Sequence, residues 1–301
     1  MKAARLADRL ATELFDFGRR STPGEVLFAR IFEVLVVLWT LQHCWEWAPY
    51  IQRIEAVVLP LGLANYVDVS VFFEDGLSYG LAAGVTLALV AGFFRWTKAA
   101  YPVALLGFHL LYVSRYSLGE ISHGSNFIGL ALLAFAIGTV AFSDDATSTF
   151  RFAFGFLFFI YGVGYTSAGV CKLIGTGLDW PHPAHFALWV GERTVDVTSR
   201  EGVFEPTVLQ RIGLAYPWLG SASLAFGLVA ELAGVLMWIR RYRMPVLLAL
   251  LAMHIGVDLT LDILFLHNIM ILALLALPWS KLIDAALVRV RSAPAAPGSG
   301  V

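Results

Sequence analysis

The chain has 301 residues, of which 58% are hydrophobic and only 14% are charged, and its net charge is −1. Soluble domains carry about 25% charged residues, so this composition excludes an ordinary soluble domain and indicates a lipid bilayer as the surroundings. The near-neutral charge gives no reason to expect nucleic acid as a partner, and two cysteines are too few for a disulfide scaffold or a cysteine metal site.

The N-terminal segment has the pattern of an amphipathic helix. Leu6, Leu10, Leu14 and Phe17 follow one another at helical intervals, with charged residues between them. Such a segment is expected to lie in the plane of the membrane surface. We therefore predict an interfacial helix within residues 1–22.

Residues 23–280 contain the segments that we expect to cross the membrane. A transmembrane helix needs about 20 mainly apolar residues. Eight runs meet this requirement, and the predicted class is all-α, a polytopic integral membrane helical bundle with about eight transmembrane helices. Their ranges are 26–43, 77–94, 99–115, 126–142, 150–171, 216–239, 244–260 and 262–279. For 244–279, one span followed by a broken or re-entrant helix stays open.

The distribution of basic residues predicts the orientation. With the N-terminus in the cytoplasm, most of the 21 Lys and Arg residues fall on the cytoplasmic side, most clearly in the turn Arg240-Arg-Tyr-Arg243. The positive-inside rule then places both termini in the cytoplasm. We expect a multi-pass protein of a bacterial inner membrane, with outer loops at 44–76 and 172–215 and a partly disordered cytoplasmic tail at 281–301.

Lys172 is the most informative single residue. It closes the apolar run Phe150–Val170, and no acidic residue lies within six positions of it. A lysine at a membrane edge can extend its ammonium group to the lipid headgroups. Held in an apolar pocket instead, it can act as a base, since burial disfavours the charged form.

Other polar residues fall within or beside the predicted spans. His254 and Asp258 are four residues apart, hence on one helical face, where an Asp could fix the tautomer of a His. A helix-packing hydrogen bond is the simpler alternative. For His267, the simpler alternative is a cap or turn contact. For Glu33 and Glu231, it is a structural role, in which the carboxyl group is protonated or paired with Arg30.

The predicted topology places several polar residues at the same depth in the membrane. His123 and Asn126 fall at the outer start of the fourth span, where a solvated loop histidine is the simpler interpretation. Together with Lys172, His254, Asp258 and His267 they map to the outer half of the membrane. Such agreement favours a polar pocket that opens outward. No His pair at i, i+4 is present, so we predict no metal.

Several short motifs occur in a recognisable order. Ala168-Gly-Val-Cys-Lys-Leu173 resembles the stretch Ala-Gly-Val-Lys-Lys-Leu of vitamin K-dependent gamma-carboxylase, which a tryptophan follows, as Trp180 does here. Glu231-Leu-Ala-Gly resembles a stretch of the same family in which an acidic residue precedes Leu-Ser-Ala-Gly. Met253-His254 matches a Phe-His pair of that family, and Leu132-Leu-Ala-Phe135 matches the end of its histidine-containing segment. The chain thus resembles the HTTM (horizontally transferred transmembrane) domain family, over about residues 25–279.

The resemblance implies a membrane enzyme that uses a reduced quinone of the menaquinone or vitamin K type. Lys172 falls on the family's proposed base, and Cys171 replaces its neighbouring lysine. His254 would be catalytic, together with His123 or Asn126, and Asp258, His267 and Trp180 would help to hold the quinone. The gapless match places Asn126 at the family's catalytic histidine, so either His123 substitutes for it or the chemistry is altered. If active, the enzyme would perform carboxylase- or epoxidase-like lyase or monooxygenase chemistry.

Two other functions stay open. The carboxylases continue into a large lumenal domain, whereas this chain ends soon after its last predicted span, so carboxylation of a protein substrate does not follow. A non-catalytic accessory, maturation, export or immunity factor for a small secreted peptide is the main alternative. A secondary transporter is the third, although we find no internal repeat.

Overall fold

The chain is all-α. The computed structural model describes residues 2–119, 124–143 and 145–292, and these ranges contain no β-strand. The all-α class predicted from the sequence is therefore confirmed. The α-helices of the described ranges, in chain order, are Lys2–Leu14 (α1), Pro23–Ile51 (α2), Leu77–Phe93 (α3), Ala100–Arg115 (α4), Asn126–Ala141 (α5), Ala146–Thr176 (α6), Pro183–Glu201 (α7), Val208–Ala215 (α8), Pro217–Leu232 (α9), Arg240–Leu261 (α10), Leu266–Ala276 (α11) and Trp279–Ser292 (α12).

Fewer helices are both long and apolar enough for a membrane span than the sequence predicted. Within the described ranges, three helical stretches are long and apolar enough: Ala146–Asp179, Pro217–Trp238 and Arg240–Leu261. A fourth is added if Leu266–Ala276 and Trp279–Val290 are counted as one broken span. At about 1.5 Å per residue, α3, α4 and α5 are each roughly 25 Å long, less than a bilayer core of about 30 Å. These apolar helices are consistent with a location in the membrane.

The segment predicted as the second outer loop is mostly helical, and its place outside the membrane stays a prediction. Helix α7 begins where Pro183 follows His182, whose ring nitrogen accepts a hydrogen bond from the amide of Ala184. It ends at Gly202, which has a φ of 78°. An amphipathic helix forms in this stretch because one of its faces is buried. That face contains Phe186, Val190 and Val197, at intervals of four and seven residues. Residues 281–292, expected in the tail, are also helical.

The chain divides into two compact units. Unit 1 contains Met1–Phe15 and Gly155–Ala276, and unit 2 contains Asp16–Phe154 and Leu277–Val301. Helix α6 begins in unit 2 and continues into unit 1. The single membrane domain predicted at residues 23–280 thus consists of parts of both units.

In unit 2, the bundle of α2 to α5 encloses a charged cluster. Glu33 is fully buried, and its carboxylate accepts hydrogen bonds from Arg30 (2.8 Å), Arg95 (2.5 Å) and the Tyr101 hydroxyl (2.6 Å). The expected pairing of Glu33 with Arg30 is present, and Arg95 and Tyr101 extend it. A buried carboxylate needs this number of partners because removal from water is costly.

In unit 1, helix α6 approaches the segment that follows α9 very closely. A Cβ atom on Gly234 would lie 2.9 Å from Cβ of Tyr165 and 3.0 Å from the carbonyl oxygen of Gly162. The glycines thus allow two backbones to pack with almost no side chain between them. In the same unit, Arg240 and Arg243 donate hydrogen bonds to the carbonyl oxygen of Glu13 at the end of α1. Helix α1 is therefore tied to the start of α10, and its location at the membrane surface stays a prediction.

Candidate functional site

Unit 1 contains a cavity of about 290 Å³. Helices α9 and α10 form much of its wall, and residues at the start of α7 and just after α10 cover the remainder. Its lining is mainly apolar and rich in aromatic rings, among them those of Trp180, Phe186 and Trp189. The volume lies near the lower end of the range of about 300–1,000 Å³ that is typical of small-molecule sites.

Helix α7 covers the cavity because Phe186 is anchored. This side chain is only 3% exposed, and its ring fills a space left by glycines of α8 and α9. A Cβ atom on Gly213 would lie 2.5 Å from the Phe186 ring, and one on Gly220 would lie 2.9 Å from it. The ring therefore fixes the position of α7, from which Trp189 also lines the cavity.

The main polar feature of the lining is an ion pair between Lys172 and Glu231. The ammonium nitrogen Nζ of Lys172, on α6, contacts Oε1 of Glu231, on α9. The Lys172 side chain is 29% exposed, while that of Glu231 is only 8% exposed. The ammonium group also lies 5.1 Å from the centre of the Trp180 ring, within the range of a cation–π contact.

Sequence reasoning missed the partner of Lys172. Glu231 is 59 positions away, so a search of the neighbouring residues could not find it. Glu231 was singled out by its place within a predicted span and by its place in the resemblance, just before Leu-Ala-Gly, but neither signal indicated Lys172 as its partner. Neither a lysine reaching to the headgroups nor an unpaired buried lysine describes the observed arrangement.

His254 is held by a tyrosine, and the expected contact between Asp258 and its ring is not made. Nε2 of His254 lies 2.7 Å from the hydroxyl oxygen of Tyr165, a hydrogen-bond distance, and His254 is only 7% exposed. Its other ring nitrogen, Nδ1, has no partner among the described residues. Asp258 shares the helical face with His254 but bonds to neither ring nitrogen.

Two buried polar atoms beside the cavity are left without a hydrogen-bond partner in the described part of the chain. They are Nδ1 of His254 and Oε2 of Glu231, and both residues line the cavity. Buried polar atoms are rarely unpaired, because an unmade hydrogen bond costs about 1–3 kcal/mol. This pattern is typical of a site that completes its hydrogen bonds with a ligand.

The other predicted site residues fall in different places. Trp180 lines the cavity, whereas His267 is buried on α11 and is not part of the lining. Asn126 is the exposed first residue of α5, in unit 2, and does not line the cavity. His123 lies outside the described residues. The structure thus brings together Lys172, His254 and Trp180, and adds Glu231 and Tyr165 to them.

The site offers acid–base chemistry in apolar surroundings. No group of three or more His, Cys, Asp or Glu side chains that could hold a metal ion occurs in the ranges that the structure describes. Cys44 is buried and Cys171 is exposed, and both are free thiols. Lys172 and Glu231 bring a basic and an acidic group together, and His254 can donate or accept a hydrogen bond at Nδ1, depending on which nitrogen carries its proton.

Comparisons with known proteins return no relative. No family model, no curated protein and no solved structure matches this chain.

Proposed function

We propose that the chain is an HTTM-type membrane enzyme, similar to the membrane domain of gamma-carboxylase, whose cavity in unit 1 binds a reduced quinone or a similar lipid-phase molecule. The observation that carries the proposal is the pair of unpartnered buried atoms, Glu231 Oε2 and His254 Nδ1, beside the Lys172–Glu231 ion pair. Apolar walls with a few polar groups are the usual design of a site for a small organic ligand.

The residues of the cavity fit the ring of a reduced quinone. Trp180, Phe186 and Trp189 offer flat apolar surfaces for a ring, and Oε2 and Nδ1 offer hydrogen-bonding atoms for its hydroxyl groups. The volume suits a ring headgroup, with the isoprenoid tail outside in the bilayer. When bound, such a molecule would supply hydroxyl protons and reducing equivalents.

The ion pair is the proposed proton acceptor. The carboxylate of Glu231 holds Nζ of Lys172 beside the cavity, and the amine of Lys172, in its neutral form, would be the base. His254, held in place by Tyr165, would hydrogen-bond the oxygen that gives up its proton.

The proposal includes a polytopic arrangement with about eight passes and both termini in the cytoplasm of a bacterial cell. Its support in unit 2 is the exposure of large apolar side chains on the short helices, such as Leu87 at 71%, Leu106 at 54% and Val140 at 49%. Water would disfavour such surfaces, whereas lipid chains would cover them.

The test is a binding assay on purified protein with a reduced short-chain menaquinone analogue, read from tryptophan quenching and from the shift in unfolding temperature. Wild-type protein should bind saturably. His254→Phe should bind at least about tenfold more weakly, as expected when a buried hydrogen bond to a ligand is lost. His109→Phe is the matched control, since His109 lies on α4 in unit 2 and does not line this cavity, and it should bind like wild type. Absence of binding in all forms would refute the proposal and favour the accessory function.

A further inference from the structure

We propose that unit 2 carries a second binding site, for the phosphate group of an anionic lipid headgroup. The site is a cavity of about 430 Å³. The linker between α3 and α4, the end of α5 and the start of α6 form its walls. Its lining is polar and basic: Arg95, Thr97, Lys98, Thr139, Ser143 and Thr149 contribute to it. This inference does not depend on the function proposed for unit 1.

Arg95 supplies the first argument, because part of its guanidinium group is buried and unpaired. Nη1 of Arg95 donates to Oε1 of Glu33 and, at 2.7 Å, to the carbonyl oxygen of Gly92. Nη2 is buried and has no hydrogen-bond partner in the described ranges. A guanidinium nitrogen carries only donors, so it requires an acceptor, and phosphate oxygens are among its preferred acceptors.

The position of Arg95 follows from the end of α3. Its φ is 58°, the left-handed conformation that commonly ends a helix, and the amide of Trp96 donates to the carbonyl oxygen of Ala91 at 2.9 Å. Hydrogen bonds to Glu33 and Gly92 then hold Nη1 of Arg95, which is a residue of the cavity lining.

The charge balance favours an anion. The carboxylate of Glu33 is already shared by Arg30, Arg95 and Tyr101, and Lys98 adds an exposed cation to the lining. Asp145 accepts hydrogen bonds from the amides of residues 147 and 148 and from the Ser148 hydroxyl, which engages its charge at the start of α6. Arg95 and Lys98 are the charged residues of the lining that the structure describes, so this lining carries a net positive charge.

Exposed aromatic residues beside the cavity identify the source of the phosphate. Phe94 and Trp96, on either side of Arg95, are 61% and 70% exposed, and their rings stack with centres 5.8 Å apart. Tryptophan at a protein surface is enriched at the level of the lipid headgroups. Basic pockets at this level in membrane proteins bind anionic headgroups. A lipid phosphate is therefore favoured over a free one.

The test measures the unfolding temperature of the purified protein in phosphatidylcholine micelles while phosphatidylglycerol is added. We expect saturable stabilisation in wild type. Lys98→Gln should weaken the apparent affinity by about fivefold, the usual effect of one cation near an anionic lipid. Lys281→Gln is the matched control: Lys281 is also an exposed lysine of unit 2, but it does not line the cavity. Its affinity should equal that of wild type. Lys98 is substituted rather than Arg95, because loss of Arg95 would also remove a hydrogen bond to the buried Glu33.

A parallel titration with inorganic phosphate distinguishes the two sources. Weak or absent stabilisation by inorganic phosphate, with strong stabilisation by phosphatidylglycerol, supports a lipid ligand. Equal stabilisation by both, lost in Lys98→Gln, supports the phosphate site but overturns the lipid as its source. An equal loss in Lys98→Gln and Lys281→Gln, or no difference between phosphatidylglycerol and phosphatidylcholine, overturns the site itself.

Discussion

The Lys172–Glu231 pair predicts that its two halves differ in what their removal costs. In Lys172→Met, the carboxylate of Glu231 remains in a site where it is only 8% exposed, without its cation. In Glu231→Gln, the ammonium group of Lys172 remains, but that side chain is 29% exposed and can reach more polar surroundings. The lysine substitution should therefore destabilise the protein more than the glutamate substitution.

The magnitudes follow from the burial of each partner. Removing one member of a buried ion pair costs about 3–5 kcal/mol, so we expect about 3 kcal/mol for Lys172→Met. For Glu231→Gln we expect about 1 kcal/mol, because the partial exposure of Lys172 relieves most of the penalty. The double variant leaves no unpaired charge and should also lose only about 1 kcal/mol, which gives a coupling energy of roughly 3 kcal/mol.

Unfolding in mixed detergent and SDS micelles, followed by circular dichroism, measures all four proteins of this cycle. A coupling energy near zero would refute the ion pair as a stabilising contact. A larger loss for Glu231→Gln than for Lys172→Met would refute the argument from burial. Activity should be compared in the double variant, because that protein should keep most of its stability. A loss of activity there would report loss of the base and not loss of folded protein.

Three further predictions concern packing, the charged cluster and a helix start. Gly213→Ala should lower the unfolding temperature, because the added methyl group would force the Phe186 ring to move. Gly191 has open space around it, so Gly191→Ala should raise stability by about 0.4–1 kcal/mol. Equal effects of the two substitutions would contradict the packing argument. Glu33→Gln should cost about 1 kcal/mol in the same assay, since Arg30 and Arg95 lose their carboxylate but their side chains are 36% and 25% exposed; a neutral effect would show that the cluster is not stabilising. Asp145→Ala should cost about 1 kcal/mol by loss of the cap of α6; no change in the unfolding curve would contradict that role.

The sequence predicted the helices well because hydrophobic periodicity and length are local properties. The starts of α3, α5 and α9 fall within one residue of the predicted spans that begin at 77, 126 and 216. Helix α7 was missed because its apolar face is narrow and lies among polar residues, so its overall hydropathy resembles that of a loop. Only its packing against α9 reveals that face.

The candidate site was predicted in part. Lys172 and His254 stood out because charged and titratable side chains are rare in apolar runs. Their partners, Glu231 and Tyr165, come from other helices, and the packing of those helices brings the pairs together. The i, i+4 rule favoured Asp258 as the partner of His254, but it gives only a shared face and not a contact. The Arg95 site could not be predicted from the sequence, because only the folded chain shows that a guanidinium nitrogen is unpaired.

Photoaffinity labelling with a reduced naphthoquinone analogue tests the central claim most directly. The labelled peptides are identified by mass spectrometry, with and without an excess of unlabelled menaquinol. We predict that the competed label falls within the segments 180–189, 223–231 and 253–265, which contain lining residues of the cavity, and that Lys172→Met/Glu231→Gln reduces it. Labelling of other segments only, or labelling that menaquinol does not reduce, would contradict the claim that this cavity is a quinone site.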